Sequence, residues 1–198
     1  MRRITCFLIL VCTVALASAA GTTRSAHASL LPFCGATSQV FLPWGDSASY
    51  YFATNGGFES GTYNWKISGA AKLASQNDPY QLSGPGDTSL TLAAGGTASM
   101  NVCYGLTYPA VRFVAAGVNG SARIHVRVVS HGLLGILSVL DGGSFTVPSG
   151  WDAAPKLSTL FSALTAPLSA GLMEIRITVE SGTAQLDDLY VDPFLTRA

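Results

Sequence analysis

Two segments of this chain alternate strictly in polarity, and nothing else in it restricts the fold as much. In ARIHVRVVS, Ile124, Val126 and Val128 share one side while Arg123, His125 and Arg127 share the other. In MEIRITVES, Ile175, Ile177 and Val179 oppose Glu174, Arg176, Thr178 and Glu180. A period of two belongs to strands with one face on a core and one toward water. Shorter runs of strand character are YNWKIS, AAKLAS, SLTL, TASMNV, AVRFVAAGV, LGILSVL, SFTV and AQLDDLYV. Turn signals such as GVNGS, LDGGS and ESGT separate them at roughly the 8–12-residue spacing of sandwiches and barrels. One segment departs from this. Leu157, Leu160, Phe161, Leu164 and Leu168 recur at helical spacing between Pro155 and Pro167, which fits either a short helix or a loop with an edge strand. The expected fold is all-β and antiparallel, with at most one short helix.

The first residues stand apart from this pattern. Arg2 and Arg3, the apolar run Ile4–Leu16 and the small residues Ala17–Ala20 follow the order of a secretory signal peptide. Residues 1–28 are therefore expected to leave, with cleavage after Ala20 or near Ala28. The apolar run is short of the roughly 20 residues that a membrane span needs. Residues 29–47 read as an extended arm and 48–194 as one domain, large enough for a real core. Eleven basic residues less Arg2, Arg3 and Arg24 leave eight against eleven acids, so nothing in the net charge invites nucleic acid. Few lysines and many alanines and glycines match the usage of GC-rich bacterial genomes.

Beyond the leader only Cys34 and Cys103 remain. In an oxidising exterior such a pair closes into a disulfide. The alternative, a reactive thiol, has no histidine nearby in sequence to activate it.

The stretch NGGFESGTYNW, Asn55 to Trp65, and the later LDDLYV, Leu186 to Val191, together resemble carbohydrate-binding modules of the galactose-binding-like jelly-roll type. Many of these open on Asn-x-x-Phe-Glu, reach a tryptophan a few residues later and end on an Asp-Asp strand. The chain is also similar to uncharacterised secreted bacterial proteins of this layout. The resemblance implies a jelly-roll β-sandwich in which the opening stretch lies beside the last strand. It also implies a structural calcium held by Glu59 with Asp187 or Asp188, since calcium takes six to eight hard oxygen ligands. Counting alternation along the last strand puts Asp187 on the face of Leu189 and Val191, as the inward ligand. The plainer alternative is that Glu59 and one aspartate are exposed or accept backbone N–H groups.

Enzyme signatures are thin. GDSAS, Gly45 to Ser49, looks like a Gly-Asp-Ser nucleophile block, but no histidine follows His131 to activate Ser47. His125 and His131, six residues apart, make no zinc motif. Paired acids suited to glycoside hydrolysis cannot be selected by spacing; Glu174 and Glu180 are expected to pair across strands with arginines such as Arg123 and Arg127. A sugar presents C–H faces to rings and hydroxyls to planar polar groups. Candidate ligand contacts are therefore the row Arg123, His125 and Arg127, with Tyr80 and Trp151 among the aromatics. The expected function is a secreted, non-catalytic domain binding carbohydrate or another cell-surface polymer. The alternatives are an envelope protein with no sugar site, and a glycan hydrolase or lyase.

Overall fold

Alternation in the sequence becomes pairing in space. The computed structural model describes residues 34–103, 110–132, 135–158 and 172–192. The expected leader, most of the segment with helical spacing, and Tyr104 and Tyr108, two further aromatics that the sequence offers as sugar contacts, lie outside the described residues. The described residues form twelve strands in two antiparallel sheets. One sheet holds seven: β1 (Tyr51–Phe52), β3 (Ala71–Ala74), β4 (Ser89–Ala93), β6 (Ala110–Gly117), β9 (Asp152–Ala153), β10 (Leu157–Ser158) and β12 (Thr183–Asp192). The other holds five, in the order β2 (Trp65–Ser68), β5 (Thr97–Cys103), β11 (Leu172–Ser181), β7 (Ala122–Gly132) and β8 (Gly135–Val147). The chain crosses repeatedly from one sheet to the other, as a jelly-roll sandwich requires.

The two strictly alternating segments are neighbours. Ile175, Ile177 and Val179 of β11 sit directly opposite Val128, Val126 and Ile124 of β7. All six are essentially buried and face Leu90, Leu92, Phe113 and Leu186 of the other sheet. Burying a side chain of this size contributes about 1.5–3 kcal/mol, which fixes which face of each strand turns inward. No helix among the described residues is long and apolar enough to cross a membrane.

In two places the local pattern misleads. LDGGS reads as a turn, yet β8 runs unbroken through it. Ser144 pairs with His125 and Asp141 with Arg127, so β8 spends one extra residue there. Gly143 has a φ of 84°, open to glycine at little cost, and Asp141 Oδ1 accepts the Gly143 N–H at 2.8 Å. The glycine pair is a β-bulge rather than a chain reversal. The second place is β12. Leu186 and Leu189 both reach the core although they are three residues apart, because the register shifts between Asp187 and Tyr190 and Asp188 has a φ of 48°. The expectation that Asp187 shares the face of Leu189 fails across that bulge.

The described part of the arm folds back as a cap on the outer side of the seven-stranded sheet. Phe41 and Tyr50 are fully buried against Val114 and Tyr190, with ring centroids 5.1 Å apart for Phe41–Tyr50 and 5.7 Å for Phe41–Tyr190. This cover is why β6 is buried at every position. Arg112 of β6 lies beneath it, 2.9 Å from Asp46 and 4.8 Å from the Phe41 ring centroid, with its Nε donating to the Ala154 carbonyl. Asp46 also accepts the Tyr50 hydroxyl and the Ala48 N–H. The Gly-Asp-Ser block thus serves as the latch of the cap.

The cap is also tied covalently, since Cys34 and Cys103 form a disulfide with Cα atoms 5.4 Å apart. The bond closes a loop over a sequence separation of 69. Loop closure of that length restricts the unfolded chain by up to about 4 kcal/mol. Calorimetry with and without reductant is expected to show a melting temperature lower by on the order of 10 °C in the reduced protein. An unchanged value would mean that packing alone holds the cap.

Candidate functional site

Pairing in the five-stranded sheet sets its outward residues in transverse rows. One row runs Ser68–Thr97–Thr178–His125–Ser144, the next Lys66–Ser99–Arg176–Arg127–Asp141, and a third Asn101–Glu174–Val129–Val139. The predicted residues Arg123, His125 and Arg127 therefore share one face, as alternation requires. Arg123 Nε lies 2.9 Å from Glu180, so one expected cross-strand pair forms. Glu174 pairs instead within its own strand, 2.6 Å from Arg176. His125 bridges two acids, with Nε2 2.6 Å from Asp141 and Nδ1 3.7 Å from Glu180. The contact with His125, followed by the Gly143 N–H, holds the Asp141 carboxyl below the usual carboxylate range. Asp141 escaped the sequence reading because the bulge that aims it at His125 looks like a turn.

At the β2 end, this face dips into a small cleft of about 160 Å³ lined by Thr54, Asn64, Lys66, Ser99, Asn101 and Glu174. Glu174 forms its floor, with a side chain only 5% exposed and held by the Arg176 guanidinium. Amide, ammonium, hydroxyl and carboxylate groups thus converge within one concavity. Such a set can hydrogen-bond a polyhydroxylated ligand at several points.

Tyr80 and Trp151 lie elsewhere, beside the cap on the seven-stranded sheet. The Tyr80 hydroxyl donates to the Trp151 carbonyl at 2.8 Å. The Trp44 ring stands edge-on to Tyr80, centroids 4.8 Å apart, and its Nε1 donates to Asp152. The Tyr80 hydroxyl and the Trp44 indole N–H thus fasten residues 80 and 44 to the turn at 151–152, while the Tyr80 ring stays exposed. The candidate ligand contacts therefore separate into a polar sheet face and an aromatic cluster under the arm.

The opening stretch meets the last strand as the resemblance implies. Ala53 N–H donates to the Leu189 carbonyl at 3.0 Å, and Leu189 N–H to the Gly56 carbonyl at 3.2 Å. Phe58 stacks on Trp65 with centroids 4.7 Å apart, and Trp65 Nε1 donates to the Asn55 carbonyl. Asn55 in turn ties the loop through Ser60, Gly61 and Tyr63. The glycines keep the approach close: a Cβ on Gly57 would lie 3.3 Å from Asp188 and 3.4 Å from Asp187.

Beside that contact Asp78, Asp187 and Asp188 bring carboxylate oxygens within 4.8 Å of one another, each residue 1% exposed. Asp187 accepts the N–H groups of Asp78 and Asp188, Asp188 that of Ser83, and Asp78 Oδ1 those of Tyr80 and Gln81. Asp78 Oδ2 is buried with no partner, and none of the described ion pairs reaches the cluster. Burial first, and then the neighbouring Asp188 carboxylate, push Asp187 up to about 8. Asp188 is raised as well, by burial and by Asp78. An orphaned, buried oxygen in an all-oxygen cluster with no cation fits a hard divalent ion.

Glu59 is not one of the three. Its Oε1 accepts the N–H groups of Asp87 and Thr88, both at 3.0 Å, which matches the plainer alternative for that residue. Asp78, the third acid of the cluster, was not singled out from the sequence. In QNDPY its spacing suggests only a turn residue, and no local pattern links position 78 to 187.

No family model matches the chain, and no curated protein matches it by sequence. Solved structures do match it. The CBM22-1 xylan-binding domain of Xyn10C from Paenibacillus barcinonensis is 14% identical with a TM-score of 0.51, over 71% of this chain and 93% of that one. The tandem CBM22-1–CBM22-2 domain of the same enzyme is 13% identical with a TM-score of 0.53, over 76% and 46%. The CBM22-1–GH10 modules of Clostridium thermocellum xylanase 10B, complexed with xylohexaose, are 14% identical with a TM-score of 0.54, over 72% and 28%. At such identities the likeness is one of fold, and in fold the chain is a jelly-roll sandwich of the carbohydrate-binding-module type.

Proposed function

We propose that this chain is a secreted, non-catalytic carbohydrate-binding domain that holds a glycan on the outer face of its five-stranded sheet. The observation that carries the reading is the cleft in which Asn64, Lys66, Asn101 and Glu174 converge, continued along the sheet by Arg176 and Arg127. The fold shared with xylan-binding domains supports it as an analogy of architecture. The acids of this face are each engaged by a basic side chain: Glu174 by Arg176, Glu180 by Arg123 and Asp141 by His125. That suits hydrogen bonding to hydroxyls better than proton transfer to a leaving group.

A structural calcium belongs to the same proposal. Asp78, Asp187 and Asp188 would hold it, and it would offset their mutual repulsion while fastening the loop around residue 78 to β12. Glu59 then acts one step away, by fixing the turn at Asp87 and Thr88.

The test is a glycan array on residues 29–198, with calcium and with chelator, followed by titration calorimetry. Asn101→Ala, at an exposed position, is expected to weaken the best ligand about tenfold without shifting the melting temperature. No glycan bound above background in either condition would sink the reading. A second reading, an interaction protein of the cell surface, is favoured by one feature. The β3–β4 edge offers a mainly apolar shelf of Ala70, Ala71, Thr91, Ala93 and Thr183, with Lys72 among its lining residues.

A further inference from the structure

Net charge conceals an asymmetry between the two halves of this sandwich. Of the eight basic residues beyond position 28, four stand on the outer face of the five-stranded sheet: Lys66, Arg123, Arg127 and Arg176. Only three of the eleven acids share that face: Asp141, Glu174 and Glu180. The rest of the molecule carries four basic residues and eight acids. The binding face is thus the least acidic part of a chain whose overall balance is negative.

The pairing on this face decides which charges are available to a ligand. Glu174 is held by Arg176, Glu180 by Arg123, and Asp141 by His125 and the Gly143 N–H. Lys66 and Arg127 are both exposed and make no ion pair among the described residues. Arg127 has Asp141 as its acidic neighbour, and that carboxylate is already engaged twice. Arg176 gives Nε and Nη2 to Glu174, which leaves Nη1. Lys66, Arg176 and Arg127 fall in one transverse row across β2, β11 and β7. Neighbouring strands are about 4.8 Å apart, so the outer two cations are separated by roughly 14 Å, several sugar units along a glycan lying across the strands.

We infer that the ligand of this face is an acidic polysaccharide, one bearing uronic-acid carboxylates, which Arg127 and Lys66 receive at either end of the row. The inference rests on the reading of this face as a glycan site and adds the chemical class of the glycan. Arginine suits a carboxylate because its planar fork can donate two parallel hydrogen bonds. A neutral sugar offers these cations only hydroxyl oxygens, whereas a carboxylate adds charge compensation to the same hydrogen bonds.

The experiment uses residues 29–198 with calcium, and oligomers of galacturonate, glucuronate and mannuronate, each beside its carboxyl-reduced form. Calorimetry is expected to give at least tenfold tighter binding to one uronate than to its reduced counterpart. Arg127→Gln should cut that preference at least fivefold, by a larger loss of affinity for the uronate than for its reduced form, while leaving the melting temperature unchanged. Raising salt from 50 to 500 mM should weaken only the uronate. Equal affinity within every pair overturns the inference and leaves the carbohydrate reading standing. Binding of dextran sulfate as tight as that of the best uronate also overturns it, as unspecific attraction of polyanions. If neither member of any pair binds and the wider glycan array is blank, both readings fall together.

Discussion

Calcium added to the chelated protein is expected to raise its melting temperature by on the order of 10 °C, and Asp187→Asn to reverse the sign of the comparison with wild type. At free calcium a thousandfold above the dissociation constant, binding to the folded state alone contributes about 4 kcal/mol. For a domain of this size each kcal/mol moves the midpoint by roughly 2–4 °C. In chelator the Asp187→Asn variant should melt above wild type, because it removes one of three crowded, buried carboxylates. In calcium it should melt below wild type, because it removes a ligand. Asp78→Asn behaves likewise, since an amide oxygen can still accept the Tyr80 and Gln81 N–H groups while the orphaned Oδ2 is gone. Scanning calorimetry of three proteins in two buffers decides the matter. Identical midpoints for wild type in calcium and in chelator would remove the ion from the account.

The same cluster sets a pH dependence whose sign follows from its raised pKa values. In chelator the folded Asp187 keeps a proton up to about 8, and Asp188 is raised too, whereas in the unfolded chain both ionise near 4. Between those limits the folded state binds more protons, so stability falls as pH rises, by roughly 1.4 kcal/mol per unit for each proton concerned. Calcium competes with those protons, so its stabilisation should grow over the same window. The two denaturation series, with and without calcium, are expected to diverge from pH 5 to pH 8.

What could be read from the sequence was what depends on neighbours along the chain. The triplets at 124, 126, 128 and 175, 177, 179 announced strands with one buried face, and the structure sets them side by side. The glycine-rich opening and the Asp-Asp strand announced their own contact through a resemblance, and Gly56 and Leu189 make it. What stayed hidden depends on one inserted residue or on long-range pairing. The bulge at Gly142 and Gly143 converts an apparent turn into the device that places Asp141 on His125. The shift after Asp187 breaks the count of alternate faces, so both aspartates are buried in one cluster rather than on opposite sides of the strand. Asp78 joins them from more than a hundred residues away, which no spacing reveals. Tyr80 and Trp151 lie on the other sheet from the polar row, joined to each other through the Tyr80 hydroxyl and the Trp151 carbonyl, a separation that depends on topology and not on spacing.

Gly56→Ala is expected to cost at least about 3 kcal/mol or to prevent accumulation of folded protein, in the range of strongly disruptive single substitutions. The reason is space rather than backbone conformation. A Cβ at this position would sit 2.6 Å from the Leu189 carbonyl oxygen and 3.1 Å from that of Ala53. Both contacts are with main chain, which cannot swing aside as a side chain would. The Leu189 oxygen already accepts the Ala53 N–H, and the Gly56 oxygen accepts the Leu189 N–H, so relief of the clash breaks the joint between the opening stretch and β12. Displacing Leu189 also moves Asp188, and the calcium response should weaken in whatever protein still folds. Gly57→Ala provides a graded comparison: its Cβ would meet carboxylate oxygens at 3.3–3.4 Å, so it should disturb the ion more than the fold. Gly150→Ala, with nothing within 4 Å, is the neutral control and should stay within about 0.5 kcal/mol of wild type. Denaturant unfolding of the three variants orders them as Gly56, Gly57, Gly150 in decreasing cost. If Gly56→Ala unfolds together with Gly150→Ala, the close approach of the first and last parts of the domain does not hold this sandwich together, and the ion cluster built beside it loses its structural reason.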